Sequence, residues 1–413
     1  MNQNCVFTIC AKNYLAQALT LRESTLANNA DLDFHIFLSD MPDKEHLPDG
    51  LTYLDDRWLK GWQDMAYKYD VVEFSTAIKP YVIKKLFNDG YEKVSYIDPD
   101  IYVTNSLTEI FNSLNRYSAI LTPHRCTMMK EGELIDEHSI ILNGIFNLGF
   151  FAVKNDNIGN SIIEWWCEKL RNHCYLDLWD GLAVDQKWME FIPAYYPQET
   201  LISHHLGMNA AIWNIHERQL IIDDNNKYVI INRMNSEDKY ELLFWHFSGY
   251  SPLKKTWLYK GNSMTSFDRF PGIEKLGLEY YNSLMRNGFE IYSKMKYSFN
   301  TYDNGKAITP IHRRLFRHYE SVFSLKGNPF LSNNYIYKTM DRNKLFPKHF
   351  VAKQDPRRDS DSNKKNMSKK KYAHILLRIL KSIIGIDKYM MLIKAFDKFG
   401  KVDSHYFLIK DLK

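Results

Sequence analysis

Short apolar runs alternate with segments of helical periodicity along the first part of the chain. Residues 5–10 form an apolar run of strand type. A helical pattern follows through Leu15, Leu19 and Leu26, and a second apolar run covers 34–38. This order predicts a strand, a helix and a second strand.

The alternation continues through the middle of the chain. A helix is predicted over 76–88, ending near Gly90, and Ser106–Glu109 has the spacing of a capping box that opens a short helix. Another helix is predicted over 157–173, and further strands are predicted over 93–97, 117–121, 147–153, 228–232 and 241–247. Alternating strands and helices indicate an α/β fold with a sheet covered on both faces.

The pattern becomes helical after about residue 267, with helices predicted over 273–286 and 311–322. Residues 353–371 have the polar composition of a linker, and apolar positions from Ile375 to Ile384 predict a basic amphipathic helix. The predicted organisation is an α/β domain at 1–266, a helical accessory region at 267–350, a basic linker at 351–371 and a basic amphipathic helical tail at 372–413.

Composition and charge refine this picture. The 413 residues are 45% hydrophobic and 25% charged, as in a soluble globular protein with a large core. Residues 351–413 carry 16 Lys and Arg against 7 Asp, whereas 1–350 carry 38 basic against 42 acidic residues. The excess positive charge therefore belongs to the tail. Such a tail is predicted either to bind an anionic membrane surface or to pack on protein. No nucleic-acid partner is predicted, because the rest of the chain is slightly acidic. Arg313, Arg314 and Arg317 are predicted to extend the same basic face.

Targeting signals are not evident. The chain enters its first apolar run without a basic n-region, and it has no run of about 18 apolar residues. Its five cysteines include no CxxC pair, which is typical of free thiols in a reducing compartment. We expect a cytoplasmic protein, with peripheral attachment to the inner face of the cell membrane if the tail binds lipid.

Two carboxylates follow the predicted strand 93–97, in the sequence Asp98-Pro99-Asp100. Residues i and i+2 of an extended chain point to the same side, and Pro99 keeps Asp98 extended, so the two side chains can converge on a hard divalent cation. Asp and Pro are also common in turns, and a surface turn is the alternative interpretation. No Gly-rich phosphate-binding motif and no GxSxG motif occurs in the chain.

Four signals occur in order: Asp98-Pro99-Asp100, Asn147-Leu148-Gly149, Asp185-Gln186 and Trp245-His246-Phe247-Ser248-Gly249. Together they resemble the catalytic domain of retaining GT-A glycosyltransferases, particularly family-eight enzymes such as glycogenin and lipooligosaccharide galactosyltransferases, over about residues 5–260. The resemblance implies a GT-A type, Rossmann-like mixed sheet flanked by helices, with a helical C-terminal extension.

The resemblance also implies a metal site. Asp98, Asp100 and His246 would bind Mn²⁺, and the cation would bind the donor diphosphate. Two carboxylates and an imidazole suit Mn²⁺ and also accept Mg²⁺. Considered alone, His246 would more often be a hydrogen-bonded, half-buried histidine.

Asp185 and Gln186 match the family pair beside the donor sugar. The resemblance implies that Gln186 stabilises the oxocarbenium-like centre and that Asp185 binds sugar hydroxyls. A helix start with Asp185 as N-cap is the alternative. Further candidates for donor binding are Tyr14, Lys79, Asn147, Gly149, Gly249 and Lys254, and His124 and Arg125 are candidates for contact with donor or acceptor.

The predicted function is metal-dependent transfer of a hexosyl group from a nucleotide-sugar donor, UDP-linked in this prediction, with retention. The acceptor would be a glycan or a polyprenyl-linked saccharide, in surface polysaccharide or glycoconjugate synthesis. A metal-dependent nucleotidyltransferase or phosphodiesterase, and an inactive carbohydrate-binding protein of the same fold, are the alternatives.

Overall fold

The structure is a computed structural model that describes residues 3–42, 47–128, 137–254, 256–259, 262–264, 271–347 and 374–410. The chain divides into two compact units. The first comprises Met1–Trp62, Val71–Trp257 and Met264–Tyr297, and the second comprises Gln63–Asp70, Leu258–Ser263 and Ser298–Lys413. The boundaries at 266, 350 and 371 stay predictions, and the predicted linker 351–371 lies outside the described residues.

Strands and helices alternate along the described chain. The strands are β1 (Asn4–Cys10), β2 (Asp33–Leu38), β3 (Leu51–Tyr53), β4 (Lys93–Ile97), β5 (Ile101–Val103), β6 (Ala119–Pro123), β7 (Phe146–Lys154), β8 (Leu176–Asp177), β9 (Leu182–Ala183), β10 (Thr200–Ile202), β11 (Arg218–Ile222), β12 (Tyr228–Asn232), β13 (Lys239–Glu241), β14 (Phe244–His246), β15 (Tyr250–Ser251), β16 (Thr256–Tyr259) and β17 (Asn262–Met264). The helices are α1 (Leu15–Asn28), α2 (Trp62–Lys68), α3 (Val71–Ala77), α4 (Lys79–Asn88), α5 (Thr108–Ser113), α6 (Glu137–Asn143), α7 (Asn157–His173), α8 (Gln186–Met189), α9 (Ile192–Tyr195), α10 (Pro271–Arg286), α11 (Phe289–Tyr292), α12 (Pro310–His318), α13 (Glu320–Phe323), α14 (Tyr335–Arg342), α15 (374–384) and α16 (Ile386–Asp397).

A seven-stranded mixed sheet forms the centre of the first unit, in the order β10-β6-β7-β4-β1-β2-β3. β7 runs antiparallel to both of its neighbours, and the other pairings are parallel. Val6 of β1, Ile97 of β4 and Phe150 of β7 have no exposed surface. The predicted α/β fold with a mixed sheet flanked by helices is therefore confirmed.

Helix α7 illustrates how the sequence builds one of the covering layers. The Asp156 side chain accepts a hydrogen bond from the Gly159 amide at 2.8 Å and so caps the N-terminus. Ile162, Ile163 and Trp166 are buried along one face. Arg171 and His173 lie in the last turn, where positive charge is favourable.

Several predicted boundaries differ from the structure. The predicted helix 76–88 is two helices, α3 and α4, and Pro80 lies in the first turn of α4, where proline is tolerated. The capping box at Ser106 is wrong, because α5 begins at Thr108 with Leu107 at its N-cap. The predicted strand 241–247 contains only the three-residue strand β14 and the last residue of β13.

The second unit has its own core. Tyr67, Leu315, Phe316 and Ile336 are buried in it. The Arg313 guanidinium lies inside this unit and donates hydrogen bonds to the carbonyl oxygens of Ala66, Tyr67, Tyr69 and Phe299.

The prediction of a basic face through Arg313, Arg314 and Arg317 is wrong. Arg313 is buried, and the guanidinium groups of Arg314 and Arg317 lie 3.7 and 3.3 Å from the Asp403 carboxylate. Helical spacing could not reveal this, because burial of one arginine depends on carbonyl groups that are distant in sequence.

Helices α15 and α16 form the described part of the tail. An apolar row, Ile375, Ile379, Ile383, Ile386 and Met390, recurs every three or four residues, and each of its side chains is exposed. Among the described residues no helix is both long and apolar enough to cross a membrane. All five cysteines are free thiols.

Candidate functional site

The two carboxylates lie at the carboxyl end of β4, in the turn that leads to β5. The Asp98 amide donates to the Gly149 carbonyl oxygen at 2.7 Å, and the Ile101 amide donates to the Asp98 carbonyl oxygen at 3.1 Å. These bonds join the turn to β7 and fix its direction. Both carboxylates remain partly exposed, at 28% for Asp98 and 24% for Asp100.

His246 reaches the same point from a distant part of the chain. β14 pairs antiparallel with β5, in the register that sets His246 opposite Ile101. The imidazole Nε2 lies 3.2 Å from Asp100 Oδ1 and 3.7 Å from Asp98 Oδ2. The short two-stranded ladder therefore brings the histidine to the carboxylates.

Asp98, Asp100 and His246 can each offer one ligand atom, and these atoms lie within 4.8 Å of one another. Two carboxylate oxygens and an imidazole nitrogen are ligands that Mn²⁺ and Mg²⁺ sites use. The donor set fits a divalent cation, and its partial exposure leaves room for ligands from a substrate. The identity of the metal stays a prediction.

Gly149 lies against the His246 ring. A Cβ atom at this position would lie 2.4 Å from His246 Cε1 and 2.8 Å from both His246 Nδ1 and Asn147 Oδ1. The sequence suggested that this glycine gives a donor room near the backbone. In the structure the space of the missing side chain is filled by the imidazole.

A buried ion pair lies next to the carboxylates. Lys79 Nζ is 2.9 Å from Asp185 Oδ2, 2.9 Å from the Leu148 carbonyl oxygen and 3.9 Å from Asp98 Oδ1. It also lies 4.2 Å from the centroid of the Tyr96 ring. The side chains of Lys79 and Asp185 are only 5% and 2% exposed, so Lys79 is not the solvated residue that its place in a helix's first turn would suggest.

Burial raises the pKa of Asp185, and the nearby Lys79 ammonium opposes this increase. Asp185 precedes α8, but its side chain makes no capping hydrogen bond. The alternative is therefore confirmed in part: α8 begins with Asp185 at its N-cap position, but the carboxylate pairs with Lys79 instead of capping the helix. Tyr96 donates its hydroxyl hydrogen to Asp98 Oδ1, and burial, followed by the Asp98 charge, raises the pKa of this tyrosine.

Gln186 begins α8 beside the same strand. Its Oε1 accepts from the Leu148 amide at 3.3 Å, and its Nε2 donates to the Asn143 carbonyl oxygen at 2.9 Å. Both ends of the amide are therefore oriented by backbone groups. Its contact with a sugar stays a prediction.

Asn147 and His124 form a second group behind the histidine ligand. Asn147 Oδ1 accepts from the Gly149 amide at 3.1 Å, and Asn147 Nδ2 lies 3.2 Å from His124 Nε2. Burial lowers the pKa of His124 to about 4, which keeps the ring neutral at physiological pH. Arg125 Nε donates to the Trp213 carbonyl oxygen at 3.2 Å, a contact between two loops.

The other candidates lie in short turns. Tyr14 ends the 3-10 helix Lys12–Tyr14 and packs, half-buried, on the cluster that includes Leu15 and Ile36. Gly249 has a φ of +74°, the left-handed conformation that glycine adopts without strain, in the turn before β15. Lys254 is exposed. Their roles toward a donor stay predictions, and Lys255 lies outside the described residues.

Sequence reasoning missed three residues of this region. Tyr96 contacts Asp98, Trp213 packs edge-on against the His246 ring at 5.0 Å, and Asn209 Oδ1 lies 3.1 Å from His246 Nδ1. Asn209 and Trp213 carried no local signal, because their contacts come from loops that only the tertiary structure brings together. The alternation of Tyr96 and Asp98 on one side of an extended chain could have indicated the first contact.

Comparison with known proteins finds a curated relative by sequence and several similar solved structures. No family model matches the chain. The uncharacterized protein YfnF of Bacillus subtilis (strain 168) is 28% identical over 184 residues, which are 44% of this chain and 58% of that protein. The chain thus matches less than two thirds of the length of this curated relative.

Similar solved structures are glycosyltransferases. They include the galactosyltransferase LgtC in complex with donor and acceptor sugar analogs, with a TM-score of 0.40, 13% identity, and 68% of this chain and 95% of that chain covered. A glycosyltransferase involved in the glycosylation of the major capsid of PBCV-1 has a TM-score of 0.35 and 12% identity, with 60% and 96% covered. GlyE of Streptococcus pneumoniae TIGR4 has a TM-score of 0.36 and 13% identity, with 72% and 66% covered.

Proposed function

We propose that this protein is a metal-dependent glycosyltransferase that transfers a hexosyl group from a nucleotide-sugar donor. The observation that carries the proposal is the convergence of Asp98, Asp100 and His246 beside the buried pair Lys79–Asp185. A cation site next to a buried, positively charged side chain is suited to a diphosphate. The ordered motifs of the sequence point to the same chemistry.

A divalent cation held by the three ligands would neutralise the negative charge that develops on the departing nucleoside diphosphate. Lys79 would add a second positive charge beside the cation ligands, since its Nζ lies 3.9 Å from Asp98 Oδ1. Asp185, whose side chain is 2% exposed, would hold Lys79 in place through their ion pair, and Gln186 Oε1 would face the anomeric carbon. The acceptor would attack from the side of the leaving group, with retention.

The proposal also covers the nucleotide, the metal and the acceptor. We assign UDP as the nucleotide, Mn²⁺ as the metal and a glycan or polyprenyl-linked saccharide as the acceptor, in surface polysaccharide or glycoconjugate synthesis. Tyr14 would stack on the base, and Lys254 would contact the diphosphate together with the backbone near Gly249.

Titration of UDP with and without Mn²⁺ tests the cation site. We expect Mn²⁺ to raise the affinity for UDP at least about tenfold, because the diphosphate binds through the metal. UMP serves as the control, because it has only one phosphate and should gain much less. Equal UDP affinity with and without Mn²⁺ would refute the metal-dependent assignment.

A screen of nucleotide sugars then identifies the reaction. Transfer or slow hydrolysis by a glycosyltransferase releases a nucleoside diphosphate. A phosphodiesterase or nucleotidyltransferase cleaves within the diphosphate and leaves a nucleoside monophosphate group. Release of UMP from UDP-sugars would therefore contradict the proposal, and metal-dependent UDP binding without any turnover of the screened donors would favour an inactive carbohydrate-binding protein.

We also propose that the tail binds an anionic membrane surface from the cytoplasmic side. The apolar row on α15 and α16 is exposed, and Arg378, Lys381 and Lys388 lie on the same two helices. A helix with an apolar face and basic flanks lies in the interface of anionic bilayers. This location would bring the enzyme to a lipid-linked acceptor.

Vesicle sedimentation tests the tail. The double substitution Ile379→Asp and Ile383→Asp should lower binding to vesicles containing phosphatidylglycerol at least about tenfold, because it removes two apolar contacts and adds negative charge. Leu325→Asp is the matched control, because Leu325 is also exposed, at 81%, and lies outside the tail. Deletion of the tail is less suitable, since Ile409 is buried in the core of the second unit. Unchanged binding by the double variant would contradict a membrane role.

A further inference from the structure

Asn209 lies beside the proposed metal ligands without being one of them. It is buried, and its φ of +53° is left-handed, a conformation that asparagine adopts more readily than most residues. The neighbouring backbone follows β14, since the His246 amide donates to the Ala210 carbonyl oxygen at 2.8 Å and the Leu243 amide donates to the Gly207 carbonyl oxygen at 2.9 Å. Backbone pairing therefore sets Asn209 at a fixed position next to His246.

The hydrogen bonds that join Gly149, Asn147, Asn209 and His246 allow only one assignment of donors and acceptors. The Gly149 amide is a donor, so the Asn147 atom that it contacts at 3.1 Å is the acceptor Oδ1. This oxygen also receives a hydrogen bond from Asn209, at 2.9 Å, which must come from Asn209 Nδ2. Asn209 Oδ1 then faces His246 Nδ1 at 3.1 Å. An amide oxygen only accepts, so His246 Nδ1 carries the hydrogen.

The hydrogen bonds on the other side of Asn147, to His124 and Ile145, are consistent with these donor and acceptor assignments. Asn147 Nδ2 donates to His124 Nε2 at 3.2 Å, and His124 Nδ1 donates to the Ile145 carbonyl oxygen at 3.2 Å. The Asn209 amide has a second acceptor in Thr122 Oγ1, at 3.0 Å. Each amide orientation is thus fixed by a backbone group or by a neighbour with one available role.

We infer that Asn209 is a positioning residue that holds His246 in the tautomer protonated at Nδ1, so that the lone pair of Nε2 is directed at the cation. The inference rests on the proposed metal site and assigns a role to a residue outside it. Nε2 faces Asp98 and Asp100, which leaves it correctly oriented for a shared ion. Hydrogen-bond partners of this kind commonly change metal affinity by about 10- to 100-fold when they are removed.

Nitrogen-detected NMR of the metal-free protein tests the tautomer directly. The His246 ring should show a hydrogen on Nδ1, because Asn209 Oδ1 can only accept a hydrogen bond. The resonance is assigned by its loss in His246→Gln. A His246 ring with a hydrogen on Nε2 and none on Nδ1 would overturn the inference, and this measurement requires neither metal nor substrate.

Mn²⁺ titration of Asn209 variants tests the consequence. Asn209→Gly removes the amide while keeping the left-handed backbone unstrained, and Mn²⁺ affinity should fall about 10- to 100-fold. Asn209→Asp keeps an acceptor for His246 Nδ1 and should bind Mn²⁺ more tightly than Asn209→Gly. Thr122→Val is the matched control, because it removes an acceptor of the Asn209 amide that does not lie in the chain of hydrogen bonds to His246, and it should change Mn²⁺ affinity less than about threefold.

The outcomes separate this inference from the proposed function. Wild-type affinity in folded Asn209→Gly, judged by its thermal unfolding, would overturn the positioning role even if the enzyme transfers sugar. Nδ1 protonation together with reduced Mn²⁺ affinity would support it even if no donor is turned over. If Asn209→Gly does not fold, the NMR measurement on the wild-type protein still decides.

Discussion

Gly149→Ala should lower Mn²⁺ affinity about 10- to 100-fold, the range typical of changes that disturb the orientation of a metal ligand. The reason is steric: the added Cβ would lie 2.4 Å from His246 Cε1, a distance that real structures do not tolerate. The backbone at 149 is buried in β7, and its carbonyl oxygen accepts a hydrogen bond from the Asp98 amide at 2.7 Å, which holds it in place. The imidazole must therefore move away from Asp98 and Asp100. Overpacking of a strand should also cost about 1–3 kcal/mol of stability.

Titration followed by the electron paramagnetic resonance signal of free Mn²⁺ measures the affinity of the variant. Asp100→Ala serves as the reference, because it gives the affinity of a site that lacks one ligand. A double-mutant cycle with His246→Ala identifies the mechanism. If the methyl group added by Gly149→Ala acts only by displacing His246, the double variant should bind Mn²⁺ no more weakly than His246→Ala alone. Additive losses would contradict the steric explanation. Wild-type affinity in Gly149→Ala would contradict the position of the ring.

Lys79→Met should destabilise the fold by about 3–5 kcal/mol, because it leaves the Asp185 carboxylate buried without its partner. Both side chains are almost completely inaccessible. Asp185 already has a raised pKa because of burial, and loss of the Lys79 charge raises it further. A folded-state pKa above the unfolded value means that the ionised form disfavours folding. The deficit should therefore be absent below about pH 4, the ordinary value of an unfolded aspartate, should grow as the pH rises above it, and should level off above the folded-state value.

Denaturant unfolding at several pH values measures this effect. Lys84→Met is the matched control, because Lys84 lies on the same helix and pairs with Glu164 at the surface, where an ion pair contributes about 0–1 kcal/mol. Adding Asp185→Asn to Lys79→Met should recover part of the loss, since the uncompensated charge is removed. Equal, small losses in Lys79→Met and Lys84→Met would contradict the burial of the Lys79–Asp185 pair.

Much of the fold could be predicted because its signals are local. Apolar runs predicted β4 at 93–97 and β12 at 228–232 with the bounds that the structure has, and periodicity predicted α7 at 157–173. Errors arose where local preference and tertiary contact compete. Helix α5 begins at Thr108 with Leu107 at its N-cap instead of Ser106, and Arg313 is buried although helical spacing allowed it to be exposed.

In the candidate site, too, the residues with a local sequence signal could be predicted and those placed by tertiary contacts could not. Asp98 and Asp100 could be recognised together because i and i+2 of an extended chain share a side. The partner of Lys79 could not be recognised from the sequence, because Lys79 forms an ion pair with Asp185, which belongs to a distant loop. Asn209 was missed for a related reason: a single asparagine in a loop has no periodicity, and its role depends on a backbone amide of another strand.

The sequence by itself determined the alternation of strands and helices, the paired carboxylates after β4 and the order of the motifs, because each depends on residues close together in the chain. Only the tertiary structure decided that β14 pairs with β5 and so brings His246 to Asp98 and Asp100. It also decided that the His246 ring occupies the space beside Gly149. These contacts arise from strand register and burial, which are properties of the whole packed chain.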